Sequence, residues 1–244
     1  MLFIPKYDES TVVVMGDVHY ERRNAIIALL IIIPIPTISI IFSMNVAQGN
    51  IGNVVWFLSK ILMISIPLWW CFKIDGDRPK FSIPDKEGLK FGILSGLGMS
   101  LVLFLAWLII GRDYLDYSQI KDTFSSTGLT DPLIYFGVAA YWILMNSVLE
   151  EYVFRWFIFE QFEKIKSGNI AVVFSALAFT LHHTVAMSFM FPVWINILAS
   201  IGIFVGGGIW SWLYLRYRSI WVPYISHMFV DVALFAVGGL ILLS

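Results

Sequence analysis

The sequence predicts an all-α protein, a polytopic transmembrane helix bundle of seven spans, or eight if the last divides, with a cytoplasmic N-terminus. Three observations predict it. Of 244 residues, 59% are hydrophobic and 14% charged, against about a quarter charged in an average soluble domain, and mean hydropathy is +0.80. Apolar runs recur that are long enough to cross a hydrocarbon core of about 30 Å, which takes some 20 residues of helix. Lys and Arg gather in alternate connections between those runs, as cytoplasmic loops require.

Residues 1–24 read as a cytoplasmic N-terminal segment and 25–244 as one multi-pass membrane domain, with no second soluble unit. Lys6, Asp8, Glu9, Asp17, Glu21, Arg22 and Arg23 stand where a cleavable signal would place a basic head and an apolar core, so the first apolar run is expected to stay in the protein. That run is Ala25 to Val46. The others are Val54 to Phe72, Phe91 to Ile110, Leu133 to Phe162, Asn169 to Met187, Val193 to Leu215 and Ile220 to Leu243. The fourth is too long for a straight span and must tilt, project or break. Pro223 is the residue that would divide the seventh.

Lys6, Arg22 and Arg23 precede the first run, and the connection around Gln48 to Asn53 has no basic residue. Lys73, Arg78, Lys80, Lys86 and Lys90 follow the second run, Lys164 and Lys166 the fourth, Arg216 and Arg218 the sixth. Lys60 breaks the pattern and is expected to snorkel to the nearer interface. Gly202, Gly206, Gly207 and Gly208 give the sixth run a small-residue face suited to close helix packing. The acidic stretch Asp113 to Asp131 is expected to be an exposed loop or a short surface helix.

Composition excludes some classes. Sixteen basic against seventeen acidic residues give a net charge of −1, which leaves no field for nucleic acid. Cys71 is the one cysteine, so an intrachain disulfide is excluded, and it is expected to be helix filler. The terminal Leu242-Leu243-Ser244 carries no lipidation box.

Chemistry concentrates in a few charged residues inside the apolar runs. Glu150, Glu151 and Arg155 lie within the fourth, and on an insertion scale each charge at mid-helix costs about 2.5–3.5 kcal/mol. Glu151 and Arg155 are spaced i, i+4 in the favourable order for an orienting pair. Glu150 points about 100° away, on the side of Asn146, and is free to face a cavity. The fifth run carries His182 and His183, and the seventh carries His227 with Asp231 one turn on. Counted from the cytoplasmic ends, Glu150 lies roughly 18 Å deep, His183 roughly 21 Å and Asp231 roughly 17 Å, so the groups can share one layer near mid-membrane. A purely structural salt-bridge cluster is the alternative use of the first three charges.

Glu150-Glu151-x-x-x-Arg155, then Phe179-x-x-x-His183, then His227-x-x-x-Asp231, in that order on successive apolar helices, resembles the CPBP family, the CAAX proteases and bacteriocin-processing enzymes also called Abi proteins. The motifs occupy residues 146–231. The resemblance implies a glutamate-type intramembrane endopeptidase, in which Glu150 and His183 activate water and His227 donates to the oxyanion. Asp231 takes a fourth place where the family has Asn or Asp; an ionised Asp cannot donate to an oxyanion, so orienting or protonating His227, or being itself protonated, suits it better. Glu151 and Arg155 hold the site. The motif selects His183 through Phe179 and leaves His182 as a packed or interfacial histidine.

No cofactor is expected. Were a metal such as zinc required, Glu150, His183, His227 and Asp231 are competent ligands, although no His-Glu-x-x-His is present. Serine and aspartyl intramembrane chemistries lack their motifs: Gly92-Ile-Leu-Ser95-Gly96 has the wrong spacing, and Asp231 stands alone. The expected partners are membrane lipid and a membrane-associated protein or peptide precursor cut near the bilayer; nucleic acid is not among them, and the oligomeric state is open. The expected location is the bacterial cytoplasmic membrane. A non-catalytic scaffold or bacteriocin-immunity factor on the same fold is the alternative function. A transporter would want an inverted repeat, which the sequence does not show.

Overall fold

The computed structural model describes residues 9–46, 49–125 and 128–243. Lys6, Asp8, Gln48 and Ser244, singled out above, lie outside them, as do the side chains of Glu9 and Asp17. The described residues form helices and no strands. Glu9–Ile32 is helical, and among the described residues seven helices have the length and apolarity to cross a membrane. They are α1 (His19–Val46), α2 (Asn50–Lys73), α3 (Lys86–Tyr114), α5 (Pro132–Ile165), α6 (Gly168–Ser188), α7 (Val193–Tyr217) and α8 (Trp221–Leu242). A short α4 (Tyr117–Ser125) lies between α3 and α5, the surface helix expected of the acidic stretch.

Local chemistry explains the boundaries. Asp85 caps α3 by accepting from the Gly88 amide at 2.6 Å. Asp131 caps α5 by accepting from the amides of Leu133 and Ile134, with Pro132 in the first turn where its missing N–H has no partner to lose. Pro223 does not divide α8. It stands in the first turn, where a helix tolerates proline, so the count is seven.

The long α5 crosses without breaking, but it is not uniform. Two π-helical stretches, Trp142–Asn146 and Tyr152–Phe159, flank the α-helical Ser147–Glu151. Wider turns of this kind are concentrated at functional sites. From Tyr152 to Phe159 every side chain is buried, which makes this half of α5 the axis of the bundle.

Two helix pairs pack most extensively, α6 with α7 and α3 with α8. The second is set by glycines. A Cβ at Gly92 would lie 2.7 Å from the Val222 carbonyl oxygen, and one at Gly96 2.8 Å from that of Ser226, so only glycine admits this approach. In α7 the expected small-residue face is only partly used. Gly207 lies against Phe179 and Ala176, whereas Gly202 and Gly208 face open space.

The connections that sequence places in the cytoplasm meet at one end. Lys164 pairs with Asp75 at 2.7 Å, Arg218 with Glu163 at 2.6 Å and Arg216 with Glu87 at 2.9 Å, and Arg22 donates to the Ile165 carbonyl at 2.9 Å.

Candidate active site

The α-helical step between the π-helical stretches of α5 presents Glu150 and Glu151 to different neighbours. Asn146, one turn earlier, donates from Nδ2 to Glu150 Oε1 at 2.8 Å, which fixes that carboxylate on the side expected for it. Glu151 turns toward α8, where its Oε1 binds His227 Nδ1 at 2.8 Å. His227 Nε2 in turn lies 3.7 Å from Glu150 Oε2 and 3.7 Å from Asp231 Oδ1. Asp231 is held from the other side by Ser147, whose hydroxyl donates to Oδ2. The motifs of α5 and α8 therefore converge on one buried layer, and the group that hydrogen-bonds His227 is Glu151.

Arg155 is fully buried. Its Nε stands 3.1 Å from Glu151 Oε2, close enough for an ion pair but out of line for a hydrogen bond. The guanidinium lies instead against aromatic faces, 4.7 Å from the Phe179 centroid and 5.5 Å from that of Trp210. Trp210 also stacks on His227, with centroids 4.0 Å apart. One indole thus faces both the cation that balances Glu151 and the imidazole that Glu151 binds, and Ser226 fixes it by accepting from its Nε1 at 3.1 Å.

On α6, His183 Nδ1 lies 3.0 Å from the Phe179 carbonyl oxygen one turn back. A carbonyl only accepts, so this nitrogen carries the proton and Nε2 keeps its lone pair in the neutral ring. His182 is buried as well, its ring stacked on Phe154 at 5.1 Å and 4.0 Å from the His183 centroid. It is packed, as expected, yet it also reaches the site. One ligand atom each from Glu150, His182 and His183 all lie within 4.8 Å of one another. The set gathered for a metal thus contains His182, where the sequence set had His227 and Asp231. His182 Nδ1 makes no aligned hydrogen bond, with only a loose approach to the Ala178 backbone one turn back.

Lys60 corrects the expectation of snorkelling. Its ammonium reaches across from α2 and donates to Asn146 Oδ1 at 2.6 Å, lying 5.4 Å from the Trp56 ring centroid. The chain Lys60–Asn146–Glu150 was hidden because its ends stand in different spans, 86 residues apart at the Lys60–Asn146 bond. A lysine in an apolar run equally fits an interface anchor. The available signal was Asn146 itself, one turn before Glu150.

A separate cavity of about 320 Å³ lies between α6 and α7, lined by Thr180, Thr184, Asn196 and Ser200 among apolar side chains and by none of the residues above. It is unconnected with the chemistry just described.

Residues 132–233 match the Rce1-like family model, described as type II CAAX prenyl endopeptidase Rce1-like. The match bears out the resemblance to the CPBP and CAAX protease family, and it contains every motif residue from Asn146 to Asp231. No curated protein and no solved structure matches the chain. At family level the match supports a CAAX-type intramembrane protease, and the seven apolar helices are those of a multi-pass membrane protein.

Proposed function

We propose that the protein is a glutamate-type intramembrane endopeptidase that hydrolyses a peptide bond close to the bilayer in a membrane-associated protein or peptide precursor. The observation that carries the proposal is the convergence on Glu150: a buried carboxylate held on one oxygen by Asn146, with His227 3.7 Å from the other and a ring nitrogen of His183 within 4.8 Å of the carboxylate.

In the reaction, water sits between Glu150 and His183. Glu150 takes its proton as the oxygen attacks the scissile carbonyl carbon, and the lone pair on His183 Nε2 orients the attacking water. Negative charge develops on the carbonyl oxygen of the tetrahedral intermediate, and His227 Nε2–H faces it. Nδ1 already donates to Glu151, so donation from both nitrogens makes His227 an imidazolium, a charge suited to a site beside Glu150, Glu151 and Asp231. Collapse of the intermediate breaks the C–N bond, and the proton on Glu150 passes to the departing amine. Arg155, paired with Glu151, holds that carboxylate aimed at His227. No resident cofactor enters any step.

The setting is the bacterial cytoplasmic membrane, with lipid around the bundle and the substrate reaching the site from its own membrane attachment. The test is Glu150→Gln and His183→Ala in the native host, with the termini of membrane-associated proteins and peptides compared by mass spectrometry. Each variant is expected to lose cleavage by about 10²–10⁴-fold. Unchanged termini in both, at normal expression, would leave the fold without proteolysis.

A further inference from the structure

The geometry points to a binding site for a divalent transition-metal ion of the zinc class, formed by Glu150, His182 and His183, whose occupancy withholds the water-activating pair. This second part rests on the proteolytic reading above; the binding itself does not. Two imidazoles and a carboxylate are an ordinary three-protein-ligand set for zinc, leaving a fourth position for water. The three offer one ligand atom each, all within 4.8 Å of one another; Glu150 and His182 are buried and His183 is partly so.

Two independent features prepare the site for a cation. His183 carries its proton on Nδ1, facing the Phe179 carbonyl at 3.0 Å, and this is the arrangement by which metal-bound histidines are oriented, with the opposite nitrogen free to coordinate. His182 is buried, and its ring makes no aligned hydrogen bond beyond a loose approach to the Ala178 backbone one turn back. Asn146 binds only Oε1 of Glu150, which leaves Oε2 for the ion, and the Lys60 ammonium is engaged by Asn146 Oδ1. His183 is only partly buried, which gives the ion a way in.

Catalysis as proposed needs the Glu150 carboxylate free to take a proton and His183 Nε2 free to hold water. A metal bound through both removes both, so the filled site is inhibited. His182 has no part in the hydrolytic scheme, and metal capture gives it one.

Purified full-length protein in detergent would be titrated with Co²⁺, whose visible d–d absorption reports a site of low coordination number. The wild type is expected to give saturable bands that Zn²⁺ abolishes, His19→Ala to give the same bands, and His182→Ala to weaken binding by at least about tenfold. Absence of bands in the wild type, or bands unchanged in His182→Ala, overturns the site. Should His182→Ala fail to fold, X-ray absorption of the zinc-loaded wild type decides, because the site demands two imidazole nitrogens at about 2.0–2.1 Å and a single imidazole would refute it. In host membranes, filling the site with Zn²⁺ is expected to stop the cleavage that Glu150→Gln stops. Cleavage that continues with the site filled overturns the inhibition, while termini indifferent to Glu150→Gln overturn the proteolytic reading and leave the metal titration standing.

Discussion

None of the three guanidinium nitrogens of Arg155 has an aligned hydrogen bond; an ion pair to Glu151 and the faces of Phe179 and Trp210 hold the side chain. That combination uses a planar, delocalised cation, and lysine offers neither plane nor delocalisation. Arg155→Met leaves His227 as the one cation balancing Glu151 and is expected to destabilise the protein by about 3 kcal/mol, and Arg155→Lys is expected to rescue it only partly. The single buried Cys71 provides the measurement, since a thiol-reactive dye labels it only as the bundle opens on heating in detergent. Lys60 carries a different prediction. By fixing which end of the Asn146 amide faces Glu150, it sets the carboxylate's aim, so Lys60→Met is expected to lower cleavage by up to about a hundredfold at unchanged thermal stability. Equal losses in activity and stability would reduce Lys60 to a packing residue. Glu150, Glu151, Arg155, His183, His227 and Asp231 were legible in sequence because charge inside a membrane demands a reason and their spacing followed a family's order. Lys60 was not, because its partner lies in another span, and the site-facing contact of His182 was not, because a rotation of 100° on an ideal helix does not say how far a ring reaches.

At the scale of elements, the position of α8 decides whether His227 and Asp231 meet α5 at all, and the glycines of α3 decide the position of α8. Gly92→Ala and Gly96→Ala each place a methyl group against a backbone oxygen that cannot swing aside, at a cost of about 1–3 kcal/mol apiece, and leucine at either position is expected to prevent folding. Yield of monodisperse protein after detergent extraction is the measurement, and a normal yield of Gly96→Leu would contradict the close packing. The sequence drew attention to the glycines of α7 instead. With the third run starting at Phe91, Gly88 fell outside it and the repeat Gly88, Gly92, Gly96 was lost, although all three face α8, Gly88 also meeting Tyr217 at the end of α7. The π-helical stretches of α5 left no mark in sequence, since an extra residue in a turn changes neither composition nor hydropathy. Only the excess length of the fourth run hinted at them.

For the whole molecule, the spans were legible in order and approximate place though not in their ends, because hydrophobic length is a strong signal and the lipid tolerates no other secondary structure here. The ion pairs that join α2, α3, α5 and α7 near their basic connections agree with one common cytoplasmic end. Alkaline phosphatase inserted after Gly49 is accordingly expected to be active, and after Ser167 inactive; the reverse pattern would invert the orientation. The glycine-set contact between α3 and α8 also has a consequence for biogenesis. During synthesis α3 and α5 enter the bilayer well before α8, so the glycine face of α3 meets lipid and Glu151 waits with Arg155 alone until His227 arrives. On the proposed mechanism a nascent chain in that state has its acid in place and no oxyanion donor, so hydrolysis is expected to begin only with the docking of α8.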